Sequence, residues 1–390
     1  MKKMLLGFAF SIPLLMLATF AHGQSGPGIT LQGTPYACPI IVNNQQTGWV
    51  PGTTCQNATV TNCASAQDLP FIFGYESPAQ GVTYKGTIVI LNGGAGTTPN
   101  DVDAQPLTFG PYYLQNGYEI VQVAWATPWE DTGGTSGSNI AAAACRPATL
   151  LSYVHGNPLL FQGTPQNKAG MCAQGTSAGS AAIGYSLVWY GAGAFLDKVE
   201  LLSGPVLSDI EQGCEVSANG QGAPNVTVCP TTETSCHRGS ALQPWSQTPE
   251  YIDGYAFGPR NWTGDNNCAG SQQTSSTEDT AWLNQSINAP VPGGAPPLTN
   301  TDITAWLCAS VANGGPMNNS SSQGQLFYNF IGSEATFDTF PVTTCPTAEA
   351  VTGNGAVVPF LNNEPGLNAI EADMVSGTSS TTSAQCKLNH

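Results

Sequence analysis

Basic side chains are scarce in this sequence: nine Lys and Arg stand against 25 Asp and Glu. Two of the nine, Lys2 and Lys3, sit at the extreme N-terminus, and without them the net charge goes from −16 to −18. A chain so acidic has no electrostatic means of holding nucleic acid or an anionic membrane, and neither is expected as a partner. Histidine is rarer still, with four in the chain, and no Cys-x-x-Cys pair occurs. That scarcity speaks against a zinc site, and no metal or cofactor is expected. Past residue 21 no apolar run is long enough to cross a bilayer.

What is present begins with a leader. Lys2 and Lys3 precede an apolar run from Met4 to Ala21, and Ala21-His22-Gly23 offers small residues at a cleavage site. The pattern is that of an export signal, with the cut after Gly23 and a secreted or periplasmic product. All twelve cysteines lie beyond the cut, an even number in an exported chain, which points to disulfides.

Five stretches follow from the texture of the chain. Residues 1–23 are the signal, and 24–83 form an irregular N-terminal extension stapled by cysteines, with some edge strands. From 84 to 208 short β-branched runs alternate with helical patterns: strands at Gly86–Leu91, Tyr118–Trp125, Gly170–Gln174 and Lys198–Leu202, and helices at Ala141–His155 and Ala178–Tyr190. Apolar runs of this length suit strands buried on both faces, and their alternation with helices predicts a mostly parallel α/β sheet. From 209 to 322 the pattern dissolves into a Gly-, Pro-, Asn- and Thr-rich stretch with five cysteines, read as a disulfide-braced cap. The core resumes over 323–390, with strands expected at Gln325–Ile331 and Ala356–Leu361 and a helix at Leu367–Val375.

Gly175-Thr176-Ser177-Ala178-Gly179 stands between an apolar strand and a small-residue helix. That is the setting of a nucleophile elbow. The glycines make room for a tight turn, which lifts the serine hydroxyl into the open. The first strand closes on Asn92-Gly93-Gly94-Ala95-Gly96. The N–H groups of Gly93, Gly94 and Ala95, together with that of Ala178, are the candidates for an oxyanion hole. Trp125 and Trp129 are either pocket-lining residues or ordinary packing. Cys145, at a helix start, and Cys172, on the elbow strand, are expected to pair.

These residues resemble the α/β-hydrolase superfamily, and more narrowly a group of exported bacterial serine esterase-like proteins. The resemblance is carried by the Asn92–Gly96 loop, Cys145-Arg146-Pro147-Ala148-Thr149, the stretch Cys172 to Ser180 and Ser203-Gly204-Pro205. It covers residues 84–212 well and 325–376 loosely. It implies an α/β-hydrolase-type fold and an ester-cleaving serine enzyme whose triad runs in the order Ser, acid, His.

For the acid, the resemblance favours Glu334, in the turn Gly332-Ser333-Glu334 after the expected strand Leu326–Ile331, with Asp338 and Asp209 as alternatives. The base is the gap. The family supplies its histidine on the loop after the last strand, here Asn362-Asn363-Glu364-Pro365-Gly366, which has none. His155, at the end of a helix, reads as structural; His237 lies in the cap; His390, the final residue, keeps the triad order, and a Cys345–Cys386 disulfide would hold the tail near the site. The expected triad is Ser177, Glu334 and His390. The expected substrate is a small-molecule or polymeric ester. A catalytically inactive binding protein and a serine peptidase on the same fold are the alternatives.

Overall fold

The computed structural model describes residues 26–43, 45–93, 96–99, 109–131, 139–157, 170–202, 204–210, 283–289, 291, 298–308, 319–331, 335–340, 364–376 and 386. The elements run β1 (Gly28–Ala37), β2 (Ile41–Val42), β3 (Gln45–Gln46), β4 (Thr54–Thr61), β5 (Leu69–Glu76), β6 (Gly86–Leu91), α1 (Phe109–Gln115) and β7 (Tyr118–Trp125). They continue with α2 (Ile140–Ala143), α3 (Cys145–Gly156), β8 (Gly170–Thr176), α4 (Ala178–Tyr190), β9 (Lys198–Leu202), β10 (Asp302–Cys308), α5 (Asn319–Ile331), β11 (Ala335–Phe340) and α6 (Glu364–Ser376).

One sheet of nine strands carries the molecule, in the order β1-β4-β5-β7-β6-β8-β9-β10-β11. From β7 to β11 every neighbour is parallel, whereas β1, β4 and β5 join by antiparallel pairing. The parallel strands need crossover helices, and these cover both faces. Val89, Leu91, Val121, Val123, Met171, Ala173, Val199 and Leu201 point to one face and belong to a single core cluster with α3 and α4. Ile88, Ile120, Cys172 and Leu202 point to the other, against α1 and α6. Alternate residues of one strand thus enter separate cores, as a period of two requires.

The second face is not purely apolar. The register aligns Gln122, Ile90, Gln174, Glu200 and Thr304 in one row across β7, β6, β8, β9 and β10. Such a row is tolerable only if its polar groups find partners. Gln122 takes the Val50 N–H and donates to the Gly48 carbonyl. Gln174 accepts from the Tyr113 hydroxyl, and Thr304 donates to Asp373 on α6.

Several expectations need correction. Gln325–Ile331 lies inside helix α5 rather than forming a strand. Its apolar residues Leu326, Phe327, Phe330 and Ile331 follow helical spacing, and Phe327 is fully buried. Asp302–Cys308, within the stretch read as cap, is a core strand between β9 and β11. The N-terminal extension supplies three strands of the main sheet. Cys145 pairs with Cys63 and Cys172 with Cys386, so neither the Cys145–Cys172 nor the Cys345–Cys386 bridge forms. Cys38–Cys55 is the third bridge among the described residues. The expected strand at 356–361 lies outside the described residues. The last helix, expected at 367–375, is found as α6.

Candidate active site

Ser177 occupies the bend between β8 and α4. Its backbone is at φ 52°, ψ −112°, a left-handed-side conformation that a residue with a Cβ adopts only under strain, at a cost of roughly 1–3 kcal/mol. The bend is held from several sides. The Ser177 N–H donates to the Leu202 carbonyl at the end of β9 at 2.8 Å. Its carbonyl accepts from the Ala181 N–H and from the Ser180 hydroxyl. A Cβ on Gly175 would overlap the Gly179 carbonyl, and one on Gly179 would overlap the Leu91 carbonyl at the end of β6. Both glycines are therefore required for strand and helix to approach this closely.

The strained turn raises Ser177 to the carboxyl edge of the sheet, yet the residue is only 5% exposed. The expectation of a freely open hydroxyl is thus corrected: the side chain lies under a cover. Part of that cover is the loop after β6. A Cβ on Gly93 would come within 3.2 Å of the Ser177 Cβ and 3.1 Å of the Thr176 carbonyl. The loop is stiffened by Asn92, whose Nδ2 donates to Thr98 and whose Oδ1 accepts the Gly93 N–H at 2.8 Å. In this conformation that N–H is already engaged, and to hold an oxyanion it must exchange Asn92 for the ligand. Gly94 and Ala95 lie outside the described residues. The Ala178 N–H opens the first turn of α4, where no carbonyl four residues back is available to it and the helix dipole adds positive potential.

Trp125 and Trp129 are packing residues. Trp125 is 3% exposed with its ring 5.0 Å from Phe71, and Trp129 is 1% exposed, edge-on to Tyr185. Gly96, at φ +64°, lies against both indoles, and its carbonyl takes the backbone N–H of Trp125. The two tryptophans thereby seat the loop that carries Gly93.

Of the acid and base candidates, Glu334, His237 and His390 lie outside the described residues. The reason for choosing Glu334 is corrected, because the segment before it is a helix. Asp338 falls within β11, its Cα opposite Trp306 of β10, rather than on a loop. Asp209 is buried on the loop following β9, where its N–H and carbonyl are bracketed by the side-chain amide of Gln323 on α5. His155 ends α3 and stacks on Phe195, two residues before Asp197 leads into β9. It therefore sits at the amino edge of the sheet, opposite Ser177, and plays the structural part expected of it.

Among the buried acids that sequence reading missed are Glu130 and Glu200. Glu130, on the loop after β7, is 1% exposed and neither of its oxygens has a hydrogen-bond partner among the described residues. Burial pushes its carboxyl up to about 8, against the opposing pull of its own backbone N–H and of Arg146. Arg146 itself spends its guanidinium on the carbonyls of Gln67, Trp129 and Asp131. Glu200 is held far above the carboxylate range by burial and by the negative charge of Asp373.

A serine on a strained strand-to-helix bend, at the carboxyl edge of a mostly parallel sheet with an antiparallel flank, defines the α/β-hydrolase type of fold. Solved structures similar to the chain include an esterase of the planctomycete Thermogutta terrifontis, at 13% identity and TM-score 0.42 over 80% of this chain and 89% of that one. Others are EstE1, a carboxylesterase cloned from a metagenomic library, at 13% and 0.43 over 81% and 85%, and an esterase of the archaeon Pyrobaculum calidifontis, at 12% and 0.45 over 84% and 86%. No family model and no curated protein matches the sequence. No helix among the described residues is long and apolar enough to cross a membrane.

Proposed function

We propose that the chain is a secreted serine hydrolase that cleaves carboxylic esters through an acyl-enzyme on Ser177. The observation that carries this reading is the φ 52°, ψ −112° backbone of Ser177 between two glycines that admit no side chain. Strain of this kind persists where the surrounding structure over-determines it, and it concentrates at functional sites. In the proposed reaction the Ser177 oxygen attacks the ester carbonyl while a base takes its proton. The carbonyl oxygen becomes an oxyanion held by the Ala178 N–H and by N–H groups of the Gly93–Ala95 loop. The alcohol leaves with the proton, and water then cleaves the acyl-enzyme by the same steps in reverse order of partners.

His390, oriented by Glu334, remains the first choice of base, with His237 second. Cys386 sets a bound on the first. From its bridge to Cys172, four residues reach about 14 Å, whereas Ser177 lies about 16 Å further up β8. The imidazole closes that gap only if the tail runs directly toward the elbow.

A second reading, a hydrolase fold that binds without cleaving, is favoured by His155 at the wrong edge of the sheet and by the covering of Ser177. Labelling of the disulfide-intact protein with a fluorophosphonate probe separates the two. A working site labels on the peptide containing Ser177 and loses the label in Ser177→Ala. A folded sample that stays unlabelled favours the binder. If it labels, His390→Ala and His237→Ala assign the base.

A further inference from the structure

The first strand of the sheet is a bare edge. Among the described residues β1 pairs only with β4, and eight of its ten residues are exposed. Proteins ordinarily protect such an edge with charge, above all lysine. Here residues 24–67 contain no Asp, Glu, Lys or Arg at all, in a chain of net charge −16. The second half of β1 is blunted, because the register shifts between Gln32 and Tyr36, Gly33 sits at φ +69°, and Pro35 cannot donate. The first half, Gly28–Gln32, is in continuous register with β4 and carries none of these devices.

Beside that half lies a groove of about 300 Å³, whose lining includes Ile29, Ala148, Thr149, Ser152, Tyr153 and Tyr190. Ile29 packs onto the core cluster from this face. Leu31, two residues on and therefore on the same face, is 41% exposed. An extended segment added to β1 would bond along its outer edge, where the Gln32 carbonyl already accepts from the Gln56 side chain, and drop alternate side chains toward the groove, the general mode of strand addition.

We propose that the occupant is β1 of a second copy, paired antiparallel about a two-fold axis at Thr30. In that register Gly28 faces Gln32 of the partner, and Ile29 faces Leu31 of the partner. Each exposed Leu31 is thereby carried to the other copy's groove, and the same contact is made twice, as a two-fold interface requires. Electrostatics selects the same place. Copies of so acidic a chain repel one another over most of their surface, and the uncharged segment containing β1 is where that repulsion is weakest. The mature protein would be a dimer joined through a continuous sheet, with both Ser177 sites far from the seam. The inference stands independently of the proposed catalysis.

Sedimentation velocity on the mature, disulfide-intact protein tests it. The expected result is a mass twice that of one chain at tens of micromolar. Leu31→Lys, at an exposed position, should give a single-chain mass with an unchanged circular dichroism spectrum and melting profile, and Leu31→Glu the same. In the proposed register the two residues 31 are diagonal neighbours across the pair, about 7–8 Å apart. Mixing the Lys and Glu variants should therefore restore the doubled mass. A wild-type protein that sediments as one chain throughout overturns the proposal, as does a dimer that survives Leu31→Lys. A dimer lost in both variants but not regained on mixing overturns the register.

Discussion

Lys198 on β9 and Asp373 on α6 meet at 2.9 Å with neither side chain exposed to solvent. The same ammonium lies 2.9 Å from Asp302 on β10, so one cation ties two strands to the last helix. Burial alone would lower the lysine pKa, but Glu200, Asp373 and Asp302 outweigh it and the pKa rises. Deleting Asp373 leaves the buried Lys198 paired with Asp302, which is partly exposed, and leaves the Thr304 hydroxyl without that acceptor. Asp373→Ala is expected to cost about 3–5 kcal/mol of stability, read as a shift of the urea midpoint. The double variant Lys198→Met, Asp373→Leu should recover part of that loss.

Glu130 predicts the direction of one pH effect. Its folded carboxyl is raised from 4.5 to about 8. Between those values the folded chain holds a proton that the unfolded chain releases, so raising the pH favours unfolding. The contribution is complete below 4.5 and is lost as the pH climbs through about 8, with a slope of about 1.4 kcal/mol per pH unit from this group. Glu130→Gln, neutral at every pH, should remove that slope. Denaturant midpoints of the two proteins at pH 5, 6.5 and 8 measure it, and parallel curves would refute the assignment.

How much of this was legible in the sequence depended on where the deciding partner lies. Gly86–Leu91, Tyr118–Trp125 and Lys198–Leu202 announce themselves because β-branched runs buried on both faces look alike anywhere. The elbow is legible because its two glycines are demanded by backbone only a few residues or one strand away. β10 was hidden: Asp-Ile-Thr-Ala-Trp-Leu-Cys reads as mixed loop until Asp302 meets Lys198 and Thr304 meets Asp373, about a hundred and about seventy residues distant. The run at Leu326–Ile331 was too short for its period to decide between strand and helix. Disulfide partners follow from Cα proximity, which spacing along the chain does not encode; Cys172 and Cys386 are 214 residues apart.

That last bridge carries a further expectation. Cys386 is 1% exposed, its N–H donates to the Met374 carbonyl at 2.7 Å, and its own carbonyl accepts the Tyr118 hydroxyl. Cys386 is thus fixed on the α1–α6 face of the sheet. Replacing both Cys172 and Cys386 by Ala should lower stability by about 2–5 kcal/mol, most of it through the freed unfolded chain. If His390 serves Ser177, fluorophosphonate labelling should slow as well, because the bridge fixes where residues 387–390 start. Unchanged labelling in the folded double variant would move the base to His237.

The strain at Ser177 offers a test that does not depend on knowing the substrate. Glycine occupies φ 52°, ψ −112° far more readily than any residue with a Cβ. Ser177→Ala keeps the Cβ and removes only the hydroxyl, so the strain remains and stability should stay within about 0.5 kcal/mol of wild type. Ser177→Gly removes both. It should stabilise the fold by about 1 kcal/mol, the relief of the strained backbone less the entropy glycine adds to the unfolded chain. Neither variant should label. A protein kept strained at the position of its nucleophile gives up stability for geometry, and equal melting temperatures for the Ala and Gly variants would mean that no such concession is made at this bend.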